Sequence, residues 1–144
     1  MIGGGGLVIG WREWVTLPAL GVTVKAKVDT GARTSAIHVA DIVARGDAVS
    51  FTVFPNQHEE EGGTEVSAPL LDVREIRSSS GEVQERYVIK TQALLHRRRW
   101  QIELTLASRD EMGFRMLLGR TAVRGRFLVD AGSSYLAGGS SRAP

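Results

Sequence analysis

Val22-Thr23-Val24-Lys25-Ala26-Lys27-Val28-Asp29-Thr30-Gly31-Ala32 is the stretch from which the rest of the chain can be read. Apolar residues lead up to Asp29 in the manner of a strand with one buried face. The run then ends on a carboxylate, a small hydroxyl residue and a glycine. Such an ending can present an acid to an open cleft. Glycine lets the backbone turn sharply and lets another chain approach closely, while the threonine hydroxyl can bond neighbouring backbone. The same residues also make an ordinary turn. A second segment that braces the loop would separate the two readings.

The bulk properties narrow the field. At 144 residues the chain is one domain of ordinary size, with room for a single core. Its 42% hydrophobic and 24% charged content are those of a folded protein rather than a disordered one. The net charge is only +2, and the run Arg97-Arg98-Arg99 lacks the interleaved aromatic residues of a single-strand binder, so no nucleic-acid partner is expected. The absence of cysteine excludes disulfides, thiolate metal sites and a cysteine nucleophile. No stretch approaches the about 20 apolar residues of a membrane helix. Residues 1–8 read as a flexible leader without the features of a secretion signal, so the expected location is the cytoplasm.

Most of the remaining sequence reads as strands. Trp11 to Leu17 alternates loosely, and Pro18 to Gly21 marks a turn. Val49 to Phe54 alternates β-formers with polar residues, and an acidic loop follows from Asn56 to about Glu65. Val66 to Ile76 reads as a strand, Ser78 to Gly81 as a turn, and Arg86 to Leu95 with Trp100 to Leu106 as a long hairpin. Met116-Leu117-Leu118-Gly119 is a short apolar strand, Thr121 to Arg126 one helical turn, and Phe127 to Asp130 a last strand. Short strands with frequent turns indicate an all-β chain, a small barrel or sandwich. The folded domain is expected over 9–136, with a fraying tail over 137–144.

Met116-Leu117-Leu118-Gly119-Arg120 supplies the second segment, apolar and ending in glycine. Asp29-Thr30-Gly31-Ala32 followed by Leu117-Leu118-Gly119-Arg120 resembles the paired signature of retropepsins. Further motifs sharpen the likeness: Gly10-Trp11-Arg12-Glu13-Trp14-Val15, Lys25 through Ala36, Ser79-Ser80-Gly81-Glu82, Glu85 through Ile89, and Leu104 through Arg120. Over about residues 9 to 136 the chain is similar to a bacterial retropepsin-like, RimB-like family. That family has been labelled ATP-dependent zinc proteases and is associated with the RimK glutamate ligase.

The resemblance implies a small closed β-barrel of the acid-protease type with one short helix near the C-terminus. It implies Asp29, Thr30 and Gly31 as catalytic residues, with Ala32, Arg33, Leu118, Gly119 and Arg120 supporting them. It also implies a peptide or protein substrate, including glutamate-ligated protein tails, and a RimK-type ligase as a functional partner. A catalytically inactive peptide- or partner-binding module on the same fold is the alternative.

The family label does not fit the residues. Zinc needs three or four well-placed ligands, whereas His38, His58 and His96 are far apart in sequence. Gly3 to Gly6 lacks the Lys-Ser/Thr of a phosphate loop. No metal and no cofactor are expected.

Acid-protease chemistry wants two carboxylates that share a proton, and the chain has a single Asp-Thr-Gly. A homodimer with Asp29 from each subunit across a two-fold axis is therefore expected. Asp130-Ala131-Gly132-Ser133 echoes the first motif but lacks the threonine, and reads better as a turn. Arg120 is expected to pair with Asp110 or Glu13, and Arg33 to face solvent or the carboxylate pair. Ser79, Ser80 and Gly81 are the candidate flap, with the Asn56–Glu65 loop as its rival. Trp11, Trp14 and Trp100 read as packing residues, and Arg97 to Arg99 as a solvated hairpin tip.

Overall fold

A computed structural model describes residues 7–54, 63–77, 81–108 and 113–138. The strands are β1 (Leu7–Gly10), β2 (Arg12–Leu17), β3 (Val22–Asp29), β4 (Ser35–Arg45), β5 (Ala48–Val53), β6 (Thr64–Arg77), β7 (Val83–Leu95), β8 (Arg98–Ala107), β9 (Met116–Gly119) and β10 (Phe127–Asp130). One short helix, α1 (Arg120–Val123), follows β9. The all-β architecture with one helical turn near the C-terminus is the one expected from the sequence.

Eight strands form one sheet in the order β2-β3-β9-β4-β5-β6-β7-β8. Two further pairings, β2 with β7 and β4 with β8, return the sheet on itself and make it ring-like. Period-two patterning explains the interior. Along β3, Val22, Val24, Ala26 and Val28 point inward while Thr23 and Lys25 are half-buried and Lys27 is exposed. The inward residues of β2, β4, β5, β7, β8 and β9 join them in one apolar cluster. Each fully buried Val, Leu or Ile side chain contributes about 1.5–3 kcal/mol relative to exposure.

Two features position the site. First, β9 runs between β3 and β4, parallel to β3 and antiparallel to β4. Second, β1 and β10 make a separate parallel pair, with Gly10 opposite Asp130. Leu7 and Val8 are thus strand residues and not part of a leader, because Phe127 and Leu128 complete their ladder. At the other end Ala137, expected to fray, donates its N–H to Glu13. The strand β4 was also not expected. Its alternation is broken at Asp41, which has φ 54°, and its register against β5 shifts between Ala40 and Val43.

Candidate active site

Asp29 is the last residue of β3, and its partner across the ladder is Gly119 of β9. The turn after it is closed from within: Gly31 N–H donates to Asp29 Oδ1 at 3.0 Å and Ala32 N–H to the Asp29 carbonyl at 3.2 Å. Asp29 Oδ2 has no hydrogen-bond partner among the described residues, and the side chain is half-exposed. Thr30 and Gly31 are exposed at the loop tip.

The end of β9 and the start of α1 run against this loop. Arg120 N–H donates to the Ala32 carbonyl at 2.7 Å and Thr121 N–H to the Arg33 carbonyl at 3.1 Å. Glycine is required at 119: a Cβ there would lie 2.5 Å from the Thr34 carbonyl carbon and 2.6 Å from its oxygen. Leu118 is buried behind the loop. Two bracing side chains were not singled out from the sequence. Ser35 Oγ accepts the Gly119 N–H at 2.9 Å, and Thr121 Oγ1 donates to the Arg33 carbonyl at 2.8 Å. A hydroxyl on each side of the crossing was the only available signal.

Arg120 corrects an expectation. Its guanidinium donates to the Thr30 carbonyl at 3.3 Å and does not meet Glu13. Glu13 is fully buried and engaged elsewhere: it accepts N–H groups from Gly10, Leu136 and Ala137. The carboxylate is drawn to that cluster of backbone donors, which satisfies its charge within the core. Asp110, the other expected partner, lies outside the described residues, as do Ser79 and Ser80 of the candidate flap. Gly81 is described, exposed, with φ 89°.

The echo at Asp130 repeats the turn but not the availability. Gly132 N–H donates to Asp130 Oδ1 at 3.0 Å, as in the first loop, but Ser133 Oγ donates to Oδ2 at 2.8 Å. The Ser133 hydroxyl and then the Gly132 N–H hold the Asp130 carboxyl below the usual range. Both of its oxygens serve its own turn. Asp29 keeps one free.

Beside the Asp29 loop lies a cavity of about 700 Å³, lined in part by Arg33, Thr34, Lys90, Thr121 and Arg126. Arg74, also at its wall, is tied to Glu103 at 2.8 Å and Asp72 at 3.0 Å. These bonds, Glu103 first, raise its pKa further and keep it charged. Arg33, Lys90 and Arg126 have no carboxylate within ion-pair reach among the described residues, so the cavity carries net positive charge. Arg33 is exposed there, and the Arg126 guanidinium lies 5.7 Å from the Trp100 ring centre.

The remaining singled-out residues fall elsewhere. Trp11, Trp14 and Trp100 are half-buried packing residues, Trp14 stacked on Tyr135 and Trp100 tilted against Phe127. Arg97, Arg98 and Arg99 are exposed around the β7–β8 turn. His38 packs on Phe54 and His96 bonds the Val8 carbonyl, while His58 is outside the described residues. Among the described residues no three His, Asp or Glu side chains converge as metal ligands, and no helix is long and apolar enough to cross a membrane.

An aspartate-bearing strand end, locked by a glycine strand threaded between it and the next strand, defines a retropepsin-like protein. The chain belongs to the RimB-like family, described as retropepsin-like aspartic endopeptidase RimB, whose model matches residues 8–139. Among curated relatives it is 44% identical to a protein of Parasynechococcus marenigrum (strain WH8102) named "Probable alpha-L-glutamate ligase", over 92% of this chain and 29% of that protein. A protein of Shewanella halifaxensis (strain HAW-EB4) with the same name is 44% identical over 91% of this chain and 30% of its own length. The chain therefore spans only about three tenths of these relatives. In fold it is similar to Lpg0085 of Legionella pneumophila, a crystal structure described as of unknown function (DUF785). That match has a TM-score of 0.74 and 22% identity, and covers 90% of this chain and 97% of that one.

Proposed function

We propose that the protein is an aspartic peptidase that works as a homodimer, with Asp29 of each subunit facing its copy across a two-fold axis. The observation that carries this reading is the state of Asp29: one oxygen pinned by Gly31, the other open at the end of a strand braced from β9. Thr30, Gly31, Ala32 and Arg33 form the loop, and Leu118, Gly119 and Arg120 hold it.

The chemistry follows from two carboxylates too close to ionise together. They share one proton between them. The ionised one takes a proton from water as its oxygen attacks the peptide carbonyl carbon, while the protonated one donates to the carbonyl oxygen. Collapse of the tetrahedral species returns a proton to the leaving nitrogen and breaks the C–N bond.

Arg33, Lys90 and Arg126, without an ion-pair partner among the described residues, favour a carboxylate-rich substrate beside the loop. Together with relatives named as glutamate ligases, this supports glutamate-modified protein tails as substrate and a RimK-type ligase as functional partner, in the cytoplasm. Ser79, Ser80 and Gly81 are the proposed flap.

Asp29→Asn tests the mechanism. Hydrolysis of glutamate-rich peptides should fall by on the order of 10²–10⁴-fold, the scale of a lost acid–base group, with an unchanged melting transition. Retention of full activity would end the aspartic reading. Binding without turnover by the unmodified protein would leave a peptide-binding module.

A further inference from the structure

We propose that Glu13 is a positioning residue that sets the place of Asp29 from the side opposite β9, through the C-terminal segment 133–137 and the Trp11 backbone. This inference rests on the peptidase reading for its consequence but on geometry alone for its structure.

Glu13 is an acidic residue in the inward phase of β2, beside Val15 and Leu17, and is fully buried. Among the described residues no cation pairs with it. Its Oε2 accepts Gly10 N–H at 2.6 Å and Leu136 N–H at 2.8 Å, and its Oε1 accepts Ala137 N–H at 3.1 Å. One carboxylate thus ties the end of β1 to the segment that follows β10. An amide in its place has one acceptor oxygen and must set its NH2 group against at least one of the three N–H donors.

The tie reaches Asp29 through Trp11. Its N–H donates to the Ser133 carbonyl at 2.8 Å, and its carbonyl accepts Val28 N–H, also at 2.8 Å. Val28 immediately precedes Asp29. The Gly10–Ser133 approach is as close as the Gly119–Thr34 one: a Cβ on Gly10 would lie 2.2 Å from the Ser133 oxygen. The end of β3 is therefore held on both sides by a strand ending in glycine, β9 directly and β1 through Trp11. Side chains secure the outer face of the same segment. Arg12 Nε donates to Ser134 Oγ at 3.0 Å, and its guanidinium lies 5.1 Å from the Tyr135 ring centre. Tyr135 itself has φ 57°, a conformation that non-glycine residues hold only when their surroundings impose it.

The test is amide hydrogen exchange and steady-state kinetics on Glu13→Gln, with Ser134→Ala as a milder variant that deletes only the Arg12 contact. In both, exchange at Leu136, Ala137 and Val28 should accelerate, about tenfold in Glu13→Gln, while Gly119, held by Ser35, keeps its rate. On a glutamate-rich peptide, kcat should fall about tenfold with KM unchanged, as misplacement of a reacting group predicts. Faster exchange at Leu136 and Ala137 with Val28 and kcat untouched would overturn the proposal. So would uniform acceleration that includes Gly119 in both variants. If the unmodified protein cleaves no peptide, the peptidase reading falls, while the ordering of Val28 against Gly119 still decides this one.

Discussion

Asp29 and Asp130 head turns closed by the same backbone hydrogen bonds, and a single hydroxyl distinguishes them. Ser133 occupies the second oxygen of Asp130, whereas Ala32, at the corresponding place after Asp29, has nothing to offer. Glycine is as decisive as the acid. Gly119→Ala would drive a methyl into the Thr34 carbonyl, which is backbone and cannot swing away. We expect a loss of about 1–3 kcal/mol in urea denaturation, the usual cost of overpacking, together with loss of the proposed hydrolysis as the Asp29 loop is displaced. The two aspartate motifs and Gly119 could be read from sequence because each is a local pattern. Glu13 could not. Its donors lie on Gly10 and on residues more than a hundred positions away, and the only trace is an acid in phase with buried valines.

At the scale of elements, β9 and β10 have the boundaries that their apolar runs predict, and β3 extends to include Asp29. The elements that escaped notice are those whose formation depends on distant partners. β1 is four residues beside a glycine run, and its ladder is supplied by β10. β4 loses its period at the bulge around Asp41. The β7–β8 hairpin was legible as a pair of strands, but its turn is unusual. His96 and Arg97 have φ 55° and 63°, with no glycine or asparagine to ease the left-handed conformation. His96 is retained by its bond to the Val8 carbonyl, whereas Arg97 is exposed. Arg97→Gly should therefore stabilise the protein by about 1 kcal/mol, read as a raised midpoint in thermal or urea unfolding. An unchanged or lowered midpoint would mean that the arginine side chain makes up for its strained backbone.

For the whole molecule, the proposal of half a site per chain has a quantitative signature. Mixing equal amounts of unmodified and Asp29→Asn subunits, and allowing exchange, leaves about one quarter of dimers with both aspartates if assembly is random. Activity per dimer should fall to that fraction, and activity of the unmodified protein should rise with concentration more steeply than linearly near the dissociation constant. A linear dilution to one half would assign a complete site to each chain. The all-β content was accessible from strand frequency, whereas the closed barrel was expected from the family resemblance alone. The ring-like return of the sheet depends on one pairing between Thr16 and Leu94 and on four between β4 and β8, none of them signalled by a hairpin turn.

The bracing of Asp29 also fixes when it can exist. The Ser35–Gly119 bond joins residues 84 positions apart, and the Glu13–Ala137 bond joins residues 124 apart. A polypeptide leaving the ribosome delivers Asp29 long before either support, and contacts of such separation are slow to close. During synthesis the aspartate is an unsupported turn on a growing chain. A half-made copy therefore lacks the braced carboxylate on which the proposed hydrolysis depends.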